Sequence, residues 1–199
     1  MTAAPLPDAA ESLPAWAFPP PEGFTADDLD RLTALPPHTE LIDGSLVFVS
    51  PQADFHGLTM YVLEDALHRA APEHFRVRRE MTVTLGLRQR PEPDLLVIRA
   101  GADSGPKGTA YQAADVVLVV EVMSPESEER DRRRKPQLYA EAGIPHFWRV
   151  ENDSRRSLVY TYELDPTTHS YVPTGIHHDR MKTTVPFDID IDLTRINSL

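Results

Sequence analysis

The 199-residue sequence contains no cysteine. Disulfide bonds and thiolate zinc sites are therefore excluded, and a reducing cytoplasm is the expected location. Long hydrophobic runs are missing too, since no stretch approaches the roughly 20 apolar residues that a membrane-spanning helix needs. No apolar run precedes the first basic residue, Arg31, as a secretory signal would require. We therefore expect a soluble cytoplasmic protein with no membrane partner.

Positive charge is scarce: 20 lysines and arginines face 31 acidic residues, and the net charge is -11. Proteins that bind phosphate backbones usually carry excess basic residues, because counterion release supplies much of the affinity. The basic residues here are clustered, at Arg76, Arg78 and Arg79, at Arg88, Arg90 and Arg99, and across 130–135. A basic face on an acidic body stays compatible with nucleic-acid binding, and a divalent cation would offset local negative charge.

Residues 1–24 are rich in proline, with Pro5, Pro7, Pro14, Pro19, Pro20 and Pro21. This composition predicts an extended or disordered leader, which Trp16 and Phe18 could dock onto the body. The remaining 25–199 have the length and composition of one domain.

Three helices are predicted from apolar spacing and end signals. A capping-box pattern at Thr25 predicts a short helix over 26–35. Apolar residues at helical spacing predict an amphipathic helix over 54–71. Charged residues over 127–142 predict a third helix, which closes at Gly143 because glycine is a common C-cap.

Strands are predicted on both sides of these helices. Asp43-Gly44 separates two apolar segments and predicts a hairpin over 39–49. Two short segments are almost entirely apolar, Leu95–Ile98 and Val116–Val122, as central strands covered on both faces are. Further strands are predicted over 75–87 (a strand or hairpin), over 146–150 and 158–162, and near Tyr171 and Val185. This order predicts an α/β fold with a mixed sheet and a helix on each side.

Two acidic residues stand in these apolar strands. Asp94 opens the first, and Glu121 lies inside the second. A buried carboxylate costs on the order of several kcal/mol unless a cation or strong donors compensate. The alternatives are an ordinary strand-entry turn for Asp94 and a salt bridge from Glu121 to an arginine of the adjacent helix. If both carboxylates reach the same end of the sheet, they form an oxygen-ligand pair for magnesium.

Several motifs resemble, in order and spacing, those of Uma2-like proteins in the PD-(D/E)XK nuclease superfamily. They are Pro93-Asp94, Glu121-Val122-Met123-Ser124-Pro125, Arg130-Asp131, Lys135, Tyr139, Gly143 and Phe147-Trp148-Arg149-Val150. Glu40-Leu41-Ile42-Asp43-Gly44-Ser45-Leu46 matches the opening hairpin, and Ser50-Pro51 followed by His56 matches the next helix. The resemblance covers about residues 24–165. It implies a restriction-endonuclease-like mixed β-sheet core flanked by helices, with an N-terminal hairpin and extra C-terminal strands.

The resemblance also implies a metal-dependent endonuclease that acts on DNA. Asp94, Glu121 and the main-chain carbonyl of Val122 would hold Mg²⁺ or Mn²⁺, which lowers the pKa of a bound water. Lys135 would orient that water or stabilise the charged phosphorane. Glu40 would extend the acidic cluster.

Two departures bear on activity. The superfamily usually places lysine two residues after the second carboxylate, where this chain has Met123, so Lys135 of the following helix would replace it. Pro136 follows directly, and a helix interior tolerates proline badly. The helix either restarts there or kinks and turns Lys135 away. The alternative function is therefore a catalytically inactive nuclease-fold module that binds DNA or a protein.

Three further residues have two interpretations each. His56 is either a phosphate contact or a polar residue at a helix start. Tyr139 lies one helical turn past Lys135, where it could bond a catalytic carboxylate, although we expect it to pack. Glu80 is either a carboxylate at the edge of the site or simply exposed.

Two other interpretations of the sequence concern a different metal site and a dimer contact. A hydrolase with histidine metal ligands would draw on His68, His74, His177 and His178, but no HExxH spacing is present. Aromatic strands around Phe147, Trp148, Tyr160 and Tyr162 could bury an edge in a homodimer, which is compatible with two-fold DNA cutting.

Overall fold

The computed structural model describes residues 14–49, 51–103, 105–124, 130–153 and 156–198. Its helices are α1 (Asp28–Arg31), α2 (Asp54–Ala70) and α3 (Lys135–Glu141). Its strands are β1 (Thr39–Ile42), β2 (Ser45–Phe48), β3 (Phe75–Arg79), β4 (Thr82–Thr84), β5 (Leu95–Arg99), β6 (Ala110–Gln112), β7 (Val116–Val122), β8 (His146–Asp153), β9 (Arg156–Asp165), β10 (Ser170–His177), β11 (Arg180–Thr183) and β12 (Ile189–Asp192). In these ranges no helix is long and apolar enough to cross a membrane.

A six-stranded sheet in the order β10-β9-β8-β7-β5-β3 forms the centre of the molecule. Strands β7 and β8 are parallel, and the other neighbours are antiparallel. A parallel pair needs a crossover connection, and α3 lies within it. The sheet is therefore mixed, as predicted.

Helices cover both faces of this sheet. Alternate residues of β7, such as Leu118 and Val120, belong to a first core cluster that also contains residues of α2. Val119 points the other way and packs in a second cluster with Tyr139 of α3. Every residue of β7 is buried because the strand is covered on both sides. The predicted helix on each side is confirmed.

The hairpin of β1 and β2 forms a separate two-stranded sheet beside the core. Its turn residues Asp43 and Gly44 have φ of 51° and 77°, the positive values that a two-residue hairpin turn requires. Main-chain hydrogen bonds between Leu41 and Arg90 fasten the hairpin to the body. All four residues of β1 are buried, which brings Glu40 into the interior.

Two local predictions were wrong. The helix predicted over 26–35 is a single turn, α1, because the chain is already extended at Leu32. The segment 75–87 is neither one strand nor a hairpin, since β3 pairs with β5 whereas β4 runs parallel to β6. Glu80, at φ 50°, separates the two strands.

The C-terminal part adds strands around the core. Strands β8 and β9 are longer than predicted, and β10 is the edge strand beyond them. Strands β11 and β12 form their own antiparallel pair, which buries Met181, Ile189 and Ile191 in the first core cluster. Val185 lies between these strands and not in one.

Two of the four aromatic side chains that were candidates for a dimer contact lie inside the molecule, whereas Tyr160 and Tyr162 are partly exposed. Phe147 and Trp148 are buried in the second and first core clusters respectively. They are therefore unavailable to a partner subunit.

The leader is described from residue 14 onward, and 1–13 lie outside the described residues. Trp16 donates its ring N–H to the carbonyl of Ala34 at 3.1 Å and meets the ring of Phe48 edge-on. Phe18 is 65% exposed. Trp16 docks this segment, as suggested, whereas Phe18 does not; the domain boundary near residue 24 stays a prediction.

Candidate active site

The sheet register brings Asp94 and Glu121 to the same place. Leu95 pairs with Val120 in the antiparallel β5–β7 pair, so the preceding residue, Asp94, comes opposite Glu121. Both side chains line one cavity of about 120 Å³, together with Glu40 and Lys135. The structure thus assembles all four side chains that the sequence singled out, although their roles in catalysis stay a prediction.

Lys135 lies at the centre of this cavity and is 5% exposed. Its Nζ is 2.8 Å from Glu40 Oε1, 3.1 Å from Glu121 Oε2 and 3.3 Å from Asp131 Oδ1. Lys135 is therefore not a solvated residue on the outer face of its helix. The salt-bridge partner of Glu121 is a lysine of the adjacent helix, not an arginine.

The backbone before Lys135 takes a wider turn than an α-helix. Residues Arg130–Arg134 form a turn of π-helix, and α3 begins at Lys135 with Pro136 in its first turn. Proline has no N–H, so an α-helical bond from residue 136 to the carbonyl four residues earlier cannot form. The helix restarts instead of kinking away, and Lys135 stays directed into the cavity.

Both oxygens of Glu121 are held by α3. Oε2 accepts a hydrogen bond from Lys135 at 3.1 Å, and Oε1 accepts one from the Tyr139 hydroxyl at 2.6 Å. Tyr139 also packs near the ring of Phe147 in the second core cluster. The expectation that Tyr139 merely packs was therefore incomplete.

Asp94 is held from two other directions. Its Oδ1 lies 2.9 Å from His56 Nε2, and its Oδ2 accepts the main-chain N–H of Val122 at 2.5 Å. His56 is 6% exposed and its ring holds a carboxylate of the cavity, so it is more than a polar residue at a helix start. A phosphate contact of His56 stays a prediction. The observed contact of Val122 is through its N–H, and the predicted role of its carbonyl is not tested by it. Glu80 lies away from the cavity lining and pairs with Arg79.

Glu40 and Glu92 complete the acidic wall. Glu40 Oε1 accepts the main-chain N–H of Glu92 at 2.9 Å. The Glu92 side chain lies 2.5 Å from His38 Nδ1. Burial raises the pKa of Glu92, and its hydrogen bond to His38 opposes that rise. The same hydrogen bond raises the pKa of His38.

The cavity holds more negative charge than Lys135 can balance. Five carboxylates, Glu40, Glu92, Asp94, Glu121 and Asp131, line it with two cationic side chains, Arg130 and Lys135, which gives a formal charge of about -3 when all are ionised. Burial raises the pKa of Glu121 well above its usual range, and the neighbouring carboxylates add to this against the pull of Lys135. Burial opposes the charge on Lys135, but the surrounding carboxylates outweigh it and raise that pKa well above normal.

Sequence reasoning missed two members of the site. Asp131 is 2% exposed and contacts Lys135, and Glu92 lines the cavity. The i,i+4 spacing of Asp131 and Lys135 was a usable signal, because such residues share a helix face. No such sequence signal marks Glu92, because it lies in a loop between two prolines.

The described residues contain no group of three or more His, Cys, Asp or Glu side chains arranged to hold a metal. The four histidines of the alternative metal site are not gathered at one place. His68 lies near Glu64 on α2 and His74 contacts the ring of Phe75 at a tilted angle, whereas the adjacent His177 and His178 lie at the end of β10.

Comparison with known proteins places the chain in a family. A model of the Uma2 family, described as putative restriction endonuclease, matches residues 26–194. The chain belongs to the Uma2 family. Membership supports nuclease function for this Uma2 protein. A search of curated proteins gives no match.

The fold of this Uma2 protein also occurs in a solved structure. A putative nuclease belonging to DUF820 from Anabaena variabilis ATCC 29413 superimposes with a TM-score of 0.66 at 16% sequence identity. The alignment covers 88% of this chain and 98% of the other. The predicted restriction-endonuclease-like α/β fold is confirmed.

Proposed function

We propose that this Uma2 protein is an endonuclease that hydrolyses DNA phosphodiester bonds with Mg²⁺ or Mn²⁺. One observation carries the proposal: a buried lysine, Lys135, is enclosed by Glu40, Glu121 and Asp131 in a cavity that Asp94 also lines. A buried cluster of this kind is costly for stability, which is typical of a site maintained for chemistry.

The donor set suits a hard divalent cation by its chemistry, although the described residues contain no group of three such side chains already arranged around one point. Carboxylate oxygens are the ligands that Mg²⁺ prefers, and each oxygen accepts more than one contact. Asp94 and Glu121 therefore keep acceptor capacity beside their hydrogen bonds, and the excess negative charge favours a cation. We assign Asp94 and Glu121 as ligands, with Glu40 and the carbonyl of Val122 as further oxygens. When bound, the cation would polarise the phosphate and lower the pKa of a water.

Lys135 supplies a fixed positive charge. Because the surrounding carboxylates raise its pKa well above normal, it stays protonated and does not act as a general base. A protonated amine in this place donates hydrogen bonds to the attacking water or to the charge that develops on the phosphate. Tyr139 and His56 hold the two ligand carboxylates in one orientation. In-line attack would leave 5′-phosphate and 3′-hydroxyl ends.

We also propose that the protein forms a homodimer and is located in the cytoplasm. With Phe147 and Trp148 buried, we place the dimer contact at the edge strand β10, where Val172 and Ile176 are 49% and 63% exposed. The alternative, an inactive nuclease-fold module that binds DNA or a protein, is separated from this proposal by the experiment that follows.

The test is cleavage of supercoiled plasmid by wild type and Glu121→Gln. The substitution keeps the shape and removes the charge, so we expect Mg²⁺-dependent nicking to fall by about 100-fold or more. Glu73→Gln is the matched control, since Glu73 is exposed and lies outside the cavity lining. Equal nicking by wild type and Glu121→Gln would remove Glu121 from the mechanism, and absence of metal-dependent cleavage by wild type would favour the inactive module.

A further inference from the structure

A larger cavity of about 530 Å³ adjoins the cavity around Lys135, which we call the catalytic cavity. We call it the side pocket, and its wall includes Gln52, Phe55, His56, Met123, Arg132 and Asn152. The two cavities share Gln52, His56 and Ser124 as lining residues. A group in the side pocket therefore lies next to any phosphate in the catalytic cavity. The volume falls in the range of small-molecule sites, roughly 300–1,000 Å³.

The wall of the side pocket suits a flat, neutral group with polar edges. Phe55 and Met123 give it an apolar part, and Gln52 and Asn152 add side-chain amides. Aromatic rings and amides are the groups with which proteins stack and hydrogen-bond unstacked bases. Arg132 donates to Glu151 Oε2 at 3.0 Å, so a carboxylate of the wall already engages its guanidinium group and would repel an anion beside it. A second phosphate is therefore a poorer occupant than a base.

The charge of the molecule points to base contacts as well. Arginines in many parts of the described chain are engaged in ion pairs with acidic side chains, among them Arg78–Asp103, Arg90–Asp30, Arg132–Glu151, Arg134–Asp43 and Arg180–Asp190. A net charge of -11 disfavours long-range attraction for backbone phosphates. Contacts to a base would add affinity that does not depend on that attraction.

We propose that the side pocket binds the base of an unpaired nucleotide adjacent to the scissile phosphate. The preferred substrate is then DNA with an unpaired nucleotide, such as a bulge, and not fully paired duplex. A base within a duplex is stacked and paired, and it cannot enter the pocket without the cost of flipping. The inference rests on the proposed function, because the neighbouring phosphate site is part of that proposal.

The first test compares binding of three labelled DNA duplexes by fluorescence anisotropy, without divalent cation and with Ca²⁺. One duplex is fully paired, one carries a single-nucleotide bulge, and one carries an abasic residue in the bulge. We expect the bulged duplex to bind about tenfold more tightly than the other two, the scale of one stacked base. The ratio should be similar at about 50 and about 200 mM salt, because it does not come from phosphate contacts. Equal affinity for the bulged and abasic duplexes would overturn the proposal.

The second test fills the pocket. Ala53 is exposed and lies in the wall of the side pocket, just before α2, so Ala53→Trp occupies the space without disturbing the core. Leu87→Trp is the control, since it adds the same ring at a position that is 71% exposed and outside the lining of both cavities. We expect Ala53→Trp to lose the tenfold preference and Leu87→Trp to keep it. A preference retained by Ala53→Trp would also overturn the proposal.

Failure of this inference and failure of the proposed function give different results. If all three duplexes are bound equally and cleaved at equal rates with metal, the proposed nuclease function stands. The proposed binding of a base in the side pocket is then wrong. If the bulged duplex is preferred but no divalent metal supports cleavage, the proposed binding of a base in the side pocket stands. The proposed hydrolysis is then wrong.

Discussion

At the scale of single residues, the hydroxyl of Tyr139 holds one oxygen of the candidate ligand Glu121. It donates to Glu121 Oε1 at 2.6 Å inside a fully buried cluster. Without this donor the carboxylate keeps Lys135 as its other hydrogen-bond partner and can rotate about its last bond. Tyr139 is therefore a positioning residue in the proposed mechanism, since it acts through Glu121 and not on the substrate.

Tyr139→Phe removes that donor and leaves the ring in place. Because hydrogen bonds to charged groups contribute about 1.5–3 kcal/mol, we expect a loss of unfolding free energy of that size, measured by urea denaturation. We also expect weaker apparent affinity for Mg²⁺ in a cleavage titration, because the ligand carboxylate is less well oriented. Tyr171→Phe is a matched control: its hydroxyl donates to the Ile144 carbonyl at 2.9 Å, away from the cavity. The control should lose stability but keep its Mg²⁺ affinity; the same drop in both variants would argue against positioning.

At the scale of single elements, the turn of π-helix over Arg130–Arg134 is the one that the sequence pattern predicts least well. Charged residues and Gly143 predict a helix over 127–142, and the structure has helical turns from Arg130 to Glu141; residues 127–129 lie outside the described residues. The proline after Lys135 predicts a disturbance but not its form. The widened turn is compatible with a buried lysine because Asp131 and Lys135 remain on one face, and such turns are common at functional sites.

The pair of strands β11 and β12 makes a separate prediction about pH. Arg180 donates two hydrogen bonds to Asp190, at 2.6 and 2.8 Å, and Lys182 lies 3.2 Å from the same carboxylate. The bonds from Arg180 lower the pKa of Asp190 from 3.8 to about 2. A lowered pKa means that the contribution to stability is complete above the unfolded value and disappears as the pH falls towards 2.

We therefore expect Asp190→Asn to have a slightly lower urea midpoint than wild type at neutral pH, because exposed ion pairs contribute little. The difference should stay constant down to about pH 4 and shrink between about pH 4 and pH 2. Asp188→Asn, which removes an exposed carboxylate two residues away, gives the reference titration. A difference that grows on acidification would contradict this account of the strand pair.

At the scale of the whole molecule, the site links elements that are far apart in sequence. Glu40 comes from β1, Asp94 from the start of β5, Glu121 from β7 and Lys135 from α3. A ligand that joins these elements binds the folded state alone, and its binding free energy then adds to global stability.

Thermal denaturation with Mn²⁺ measures this linkage. At about 100 times the dissociation constant, one bound cation adds about 2.7 kcal/mol, which corresponds to a rise in Tm of about 5–10 °C for a domain of this length. Glu121→Gln should lose most of the rise, and Glu73→Gln should keep it. An equal rise in all three proteins would mean that the cation binds elsewhere.

The sequence by itself determined the local elements and the identity of the central residues. Asp43-Gly44 fixed the hairpin because few residue pairs accept positive φ, and the all-apolar run of β7 fixed a covered strand. The unusual acids Asp94 and Glu121 marked the site, because a carboxylate in an apolar strand needs a compensating partner.

Only the tertiary structure decided which partners those acids have. The separation of β3 from β4, the pairing of His56 with Asp94 and the entry of Asp131 into the cluster all join residues whose proximity depends on strand order and helix packing. Periodicity reports which side of an element is buried, and it does not report what lies opposite. Contacts between distant segments are selected by the packing of the complete chain, so the charge balance around Lys135 appeared only when the elements were assembled.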